Sequence, residues 1–235
     1  MVQRQWIKFP QLPDQFPLST DSVLLADFAA PAEACSIMDL GAGCGTLGLL
    51  LAASNPRCMI TGLELQNHSV QQAETVIRLN GLEDRVHVVQ GDIRNAAEQY
   101  AANSFDAVVS NPPYFPVGHG AAASSEALAI ARTELCCTLQ DLCRTAAYLL
   151  RWGSPFYLIH KPERLCDILS ALRQYRLEPK RLRFVRHKAA AAPSLVLIES
   201  RLGGNPNLNI LPDLILRNED GSETREYRLI YGLEE

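Results

Sequence analysis

Three things are missing from this sequence, and each absence closes off a class of protein. No stretch approaches the roughly 18 consecutive apolar residues that a membrane span needs, so no membrane partner is expected. The opening Met-Val-Gln-Arg-Gln-Trp is not a basic leader running into an apolar core, which argues for a cytoplasmic protein. There is no C-x-x-C pair, and the seven cysteines (Cys35, Cys44, Cys58, Cys136, Cys137, Cys143 and Cys166) are odd in number and scattered through apolar sequence. Buried reduced thiols are therefore expected in preference to a disulfide frame, and no metal site is expected.

An overall excess of positive charge is missing too. The formal net charge is −4, which by itself argues against a nucleic-acid partner. The distribution reverses that impression: residues 151–201 carry 11 Lys/Arg against 4 Asp/Glu, and the remainder 11 against 22. The densest part contains Lys180, Arg181, Arg183, Arg186 and Lys188. Alternation along a strand would set several of these cations on one face, where they could meet RNA phosphates. Guarding a solvated edge strand against aggregation explains the same residues equally well.

What is present is enough apolar sequence for one large α/β core: 235 residues, 47% of them hydrophobic. The expected layout is a single domain over 1–235, with an amino-terminal cap segment and helix (1–35), a core (36–201) and a tail packed back on it (202–235). Nothing in the sequence fixes an oligomeric state, and a monomer is the default.

Along the chain, strands and helices alternate as in a parallel sheet. Ser19-Thr20-Asp21 offers amino-terminal caps for an apolar helix from Ser22 to Ala30, stopped by Pro31. Ser36 to Leu40 reads as a strand running into Gly41, Gly43 and Gly45 and then a helix to Ala53. Glycines there let the backbone turn tightly and approach a ligand, and the helix start favours an anionic group. Residues 58–64 form a second strand ending in Glu64, whose carboxylate can accept from two vicinal ribose hydroxyls. A helix from Asn67 stops at Asn80-Gly81, and a third strand, 86–89, is followed by Asp92, an acid suited to an adenine amine or, more plainly, a cap for a helix over 94–100. Gly43-x-Gly45-x-x-Gly48 with Glu64 also matches a dinucleotide fingerprint. Against that competitor stand Asp39, which completes a D-x-G-x-G-x-G pattern, and the Asn-Pro-Pro-Tyr at the end of a later strand; the way three acids (Asp39, Glu64, Asp92) end three successive strands lifts the site above plainer readings of each.

The fourth strand, Phe105 to Ser110, runs into Asn111-Pro112-Pro113-Tyr114-Phe115. Two prolines stop the pairing and hold the backbone rigid where open α/β sheets bind ligands. An amide, two carbonyls and a phenol ring are well suited to gripping a planar group that bears an NH2, with Asn111 Oδ1 and the Pro112 carbonyl accepting its hydrogens and Tyr114 stacked on its face. A long irregular segment follows to Glu134. Then come a capping-box helix from Thr138-Leu-Gln-Asp141, a fifth strand (156–160), a helix opened by Pro162, strands at 181–185 and 194–199, and a strand-turn-helix tail.

Asn111-Pro-Pro-Tyr114 resembles motif IV of S-adenosylmethionine-dependent methyltransferases acting on amines or amides. With Ser19 to Phe28, Asp39 to Gly48, Glu199-Ser-Arg-Leu-Gly-Gly204 and Leu211-Pro212, most of the chain resembles the bacterial tRNA adenine N(6)-methyltransferases that modify the adenine beside the anticodon of a valine tRNA. The resemblance implies a seven-stranded class I methyltransferase (Rossmann-like) sheet with its last strand antiparallel, S-adenosyl-L-methionine as cofactor and tRNA as partner. It assigns Asn111, Pro112 and Tyr114 to catalysis. Asp39, Gly41, Gly43, Gly45, Glu64, Asp92, Asn111, Thr20 and Asp21 fall to the cofactor, and Pro113, Phe115 and the basic strand to substrate. One departure is Thr133, where the family carries His beside Glu134, and it bears on substrate identity. The tetrapeptide is shared with enzymes acting on DNA adenine, rRNA or a release-factor glutamine. The last of these carries a helical domain before the glycine loop, where this chain has about 35 residues. A non-catalytic RNA-binding subunit would be expected to have lost one of the two motifs.

Overall fold

The computed structural model describes residues 7–8, 19–29, 35–113 and 137–233. Tyr114, Phe115 and the segment through Thr133 and Glu134 lie outside the described residues. Among those described, seven main strands form one sheet: β1 (Ser36–Leu40), β2 (Met59–Glu64), β3 (Val86–Gln90), β4 (Ala107–Ser110), β5 (Pro155–His160), β6 (Leu177–Arg186) and β7 (Pro193–Leu202). Their spatial order is β3-β2-β1-β4-β5-β7-β6. All pair in parallel from β3 across to β5, and β7 is antiparallel to both neighbours, so the expected seven-stranded sheet with a reversed last strand is present.

Alternation splits each strand between two apolar layers. Ile37, Tyr157 and Ile159 join one core with Leu24, Leu25, Leu49 and Val76 of α1 (Thr20–Phe28), α2 (Thr46–Ser54) and α3 (Asn67–Leu79). Met38, Leu40, Phe156 and Leu158 join the other with Leu142 and Ile168 of α4 (Leu139–Leu149) and α5 (Leu165–Gln174). Leu25 is fully buried, and truncating such a side chain to Ala costs about 2–5 kcal/mol. Helix α1 starts two residues before the expected Ser22, because Ser19 and not Thr20 or Asp21 is the cap, accepting from the Ser22 amide at 3.2 Å. The predicted capping box does start α4.

Two expectations are corrected. Strand β6 is not an edge: β7 flanks it on one side, and two short parallel strands, β8 (Asn209–Ile210) and β9 (Leu214–Ile215), flank it on the other. The tail then turns at Asn218–Gly221 into α6 (Arg225–Tyr231). Second, Cys35 and Cys58 form a disulfide, with Cα atoms 4.8 Å apart. Each precedes one of two adjacent parallel strands paired Ser36 to Met59, so the register makes them neighbours at a spacing a disulfide accepts. Of the remaining described cysteines, Cys143 is buried as expected and Cys166 is exposed. No helix among the described residues is long and apolar enough to cross a membrane.

Candidate active site

The carboxyl ends of β1 to β5 open on one cleft of about 680 Å³, its mouth included. The strand ends are drawn together by local bonds. The Ser110 hydroxyl donates to the Leu40 carbonyl at 2.7 Å, tying the start of Asn111-Pro112-Pro113 to the start of the glycine loop. Gly62 faces Asp39 across the β1–β2 register; a Cβ there would sit 2.6 Å from the Ala42 side chain, so only glycine lets the loop lie this close to β2. Gly41, Gly43 and Gly45 all have positive φ, from 54° to 78°, a conformation in which other side chains are strained.

Of the residues singled out in the sequence, the cleft brings together Gly41, Glu64, Asp92, Pro112 and Pro113. Glu64 Oε2 accepts from the Gly43 amide at 2.9 Å and Oε1 from the Gln66 amide at 2.8 Å. These bonds fix the carboxylate at the strand end, and with about four acceptor positions it can still receive two hydroxyls. Asp92 accepts from the Arg94 amide at 2.9 Å and from its guanidinium at 2.6 Å, capping a short 3-10 helix at Ile93–Glu98. The plainer reading of Asp92 as a cap is therefore realised, although the helix is 3-10. The Arg94 bond, then the Arg94 charge and amide, hold its carboxyl below the ordinary range.

Asp39 lies beneath the glycine loop, 1% exposed. Neither of its oxygens has a hydrogen-bond partner among the described residues. Burial, and secondarily the charge of Glu64, push its pKa up to about 7, with the Gly48 amide dipole pulling weakly the other way. Holding a carboxylate buried beside a second one costs free energy, which is why its proton is retained to higher pH.

Asn111 is half-buried beside α1, where its Nδ2 donates to Ser22 Oγ at 3.1 Å. Thr20 sits at the start of the same helix and accepts from the Tyr231 hydroxyl at 3.3 Å; Asp21 is its neighbour. Leu142 and His160 are among the lining residues that the sequence did not single out. Leu142 adds an apolar wall. His160 ends β5 next to β4, 1% exposed, and its position at a parallel strand's carboxyl end was the available signal. Burial, and after it the Arg164 charge, lower its pKa to about 4. Its Nδ1 accepts from the Lys161 amide at 2.8 Å, so the neutral ring carries its proton on Nε2.

The basic strand is engaged within the chain. Arg181 pairs with the buried Glu199 and donates to the Phe28 carbonyl at 3.1 Å. Arg183 holds the Pro212 carbonyl and Glu226, at 2.9 and 2.8 Å. Arg186 pairs with Asp213, Lys188 reaches the Glu219 carbonyl at 2.8 Å, and Lys180 reaches the Asn205 carbonyl. Arg181 ties β6 to β7 and α1, and the other four cations hold the tail.

The arrangement has known counterparts. A family model described as a methyltransferase domain matches residues 31–161. A tRNA1(Val) (adenine(37)-N6)-methyltransferase of Shewanella sp. is 30% identical over 89% of this chain and 88% of its own length. One of the same name from Yersinia enterocolitica is 37% identical over 42% of this chain, an alignment spanning 39% of that relative's length. Among solved structures, a predicted O-methyltransferase of Agrobacterium tumefaciens superposes with TM-score 0.75 at 22% identity, covering 90% of this chain and 95% of that one. A geranyl diphosphate C-methyltransferase of Streptomyces coelicolor gives 0.57 at 14% identity, over 77% and 76%.

Proposed function

Because the chain belongs to the family of tRNA1(Val) (adenine(37)-N6)-methyltransferases, we propose that it methylates the exocyclic N(6) amine of an adenine in tRNA, the anticodon-loop adenine beside the anticodon of a valine tRNA. The observation that carries this reading is the convergence of Glu64, Asp92 and Pro112-Pro113 in one cleft, the strand-end acids on one side and the amine-gripping turn on the other.

S-adenosylmethionine supplies an electrophilic methyl group, and the residues fit it. Glu64 accepts the ribose hydroxyls, and Asp92 receives the adenine amine; its pair with Arg94, whose side chain is 45% exposed, is weak enough to share. Gly41, Gly43 and Gly45 keep side chains out of the way of the methionine end, where the start of α2 favours a carboxylate. Thr20 and Asp21 approach that end from α1, and Asp39 supplies negative charge below.

At the acceptor, Asn111 Oδ1 and the Pro112 carbonyl draw on the two amine hydrogens. That turns the nitrogen lone pair out of conjugation with the ring and aims it along the transfer axis. Tyr114 and Phe115, with Pro113, replace the stacking a base loses on leaving its neighbours, a cost of only a few kcal/mol for a nucleotide already in a loop. The chain's contribution is positioning and electrostatics; a neutral amine needs no base for attack. Exposed contacts of this kind are worth little, so Lys180 and Lys188 can exchange backbone carbonyls, and Arg183 the half-exposed Glu226, for tRNA phosphates; Arg181, tied to the buried Glu199, is held more firmly. Such a substrate implies a cytoplasmic site of action.

The test is to incubate the protein with methyl-labelled S-adenosylmethionine and total RNA from a strain lacking the activity, then map the labelled nucleoside. Label in N(6)-methyladenosine at the valine tRNA anticodon loop is the expected result. Label in rRNA or at another tRNA position overturns it, as does label in DNA or a release-factor glutamine when these replace the RNA.

A further inference from the structure

The Asn111 amide has to present its oxygen, and not its NH2, to the acceptor amine. We propose that Ser22 makes the choice: it is a positioning residue that anchors Asn111 Nδ2 and thereby fixes Oδ1 toward the substrate. This rests on the acceptor role proposed for Asn111.

The observation is the 3.1 Å bond from Nδ2 to Ser22 Oγ, between residues 89 positions apart. Ser22 is 6% exposed, so little water competes for the contact. Its hydroxyl oxygen is held in turn: Ser19 Oγ donates to it at 3.0 Å, and Ser19 Oγ accepts the Ser22 amide at 3.2 Å. The cap that starts α1 therefore also fixes the acceptor for Asn111. Because the amide is planar, tying down Nδ2 sets the direction of Oδ1 as well.

An anchor works only if it is itself fixed, and α1 is held at both ends. Tyr231 of α6 donates to Thr20 at its start. At its finish the Arg181 guanidinium holds the Phe28 carbonyl and lies 4.7 Å from the Phe28 ring centroid, while that ring meets Tyr157 edge-on at 6.4 Å. Asn111 thus takes its orientation from a braced helix outside the sheet, whereas the backbone of its turn is set by the two prolines.

The test uses full-length protein with ¹⁵N-labelled asparagine side chains, the Asn111 NH2 pair being identified by its loss in Asn111→Asp. In the wild type one proton of that pair exchanges with water about tenfold more slowly than those of exposed asparagines. Ser22→Ala abolishes that protection and lowers kcat on tRNA about tenfold, with KM, cofactor Kd and Tm nearly unchanged. Ser22→Thr, which keeps the hydroxyl, restores both readouts. In an Asn111→Asp background, whose carboxylate has no wrong way round, Ser22→Ala costs less than about twofold further. An Asn111 amide unaltered by Ser22→Ala, a Thr variant that behaves like Ala, or an equal rate loss in both backgrounds overturns the proposal. A wild type that methylates no RNA removes the functional reading alone, since the amide spectra still decide whether Ser22 anchors Asn111.

Discussion

Replacing Asp39 by Asn is expected to stabilise the cofactor-free protein, and to do so more at high pH. The folded-state pKa is raised from 3.8 to about 7, chiefly by burial. Below the unfolded pKa both states hold the proton and the group contributes nothing. As pH rises from about 4 to 7 the unfolded chain ionises while the folded one keeps its proton, so stability falls through that window. Above 7 the loss is constant, and at about 1.4 kcal/mol per pKa unit over that shift it is somewhat over 4 kcal/mol. Somewhat under about 2 kcal/mol of this is present at pH 5, so the Asn variant's advantage should grow by roughly 2–3 kcal/mol between pH 5 and pH 8.5. Urea denaturation of both proteins at the two pH values measures it, at equal m-values. The offset at either pH includes how well the site accepts an amide, whereas the change between them does not. An advantage that is the same at pH 5 and 8.5 refutes the reasoning. On the cofactor role proposed for Asp39, the variant's gain is the stability the wild type gives up to keep a carboxylate there.

S-adenosylmethionine should raise Tm, as any ligand of the folded state must, and Glu64→Ala should largely remove that shift; an equal shift with NAD would count against the cofactor assignment. Asn111→Ala should abolish transfer while leaving cofactor Kd within a few-fold, and a variant keeping more than about a tenth of wild-type turnover leaves the side chain no major role, since tenfold is only about 1.4 kcal/mol. Reversing Arg186 and Lys188 to Glu should lower the log-log salt slope of tRNA binding by roughly one or two units if they meet phosphates. If they only clamp the tail, the slope stays and Tm falls.

Where a segment's fate is decided by its own neighbours, the sequence is readable. The capping box at Thr138 and Asp141, the strand stops at Glu64 and Pro112, and Asp92 as a cap for Arg94 are all such cases. The apolar pattern predicts strand β6 over 181–185, whereas it runs over Leu177–Arg186, because Glu178, Pro179 and Lys180 interrupt the apolar run that marks a strand. Its interior place in the sheet is illegible for a different reason: β8 and β9 have two residues each, too few to show a period. The Cys35–Cys58 disulfide needs the β1–β2 register. The Ser22–Asn111 bond needs the whole topology, since Ser22 by itself reads as one more small residue at a helix start.

The bond between Thr20 and Tyr231 spans 211 residues of sequence, and that span has a consequence for how the protein is born. Chains are made from the amino terminus at about 5–20 residues per second. The opening helix therefore waits roughly 10–40 s, by that rate, for the residue that closes over it. During that interval Leu24 and Leu25 have the β5 strand to settle on only late, and α6 not at all. A newborn chain still on the ribosome thus has its glycine loop and its Asn111-Pro112-Pro113 turn but lacks the brace at Thr20. A helix made late, α6, completes the support for α1, made long before it.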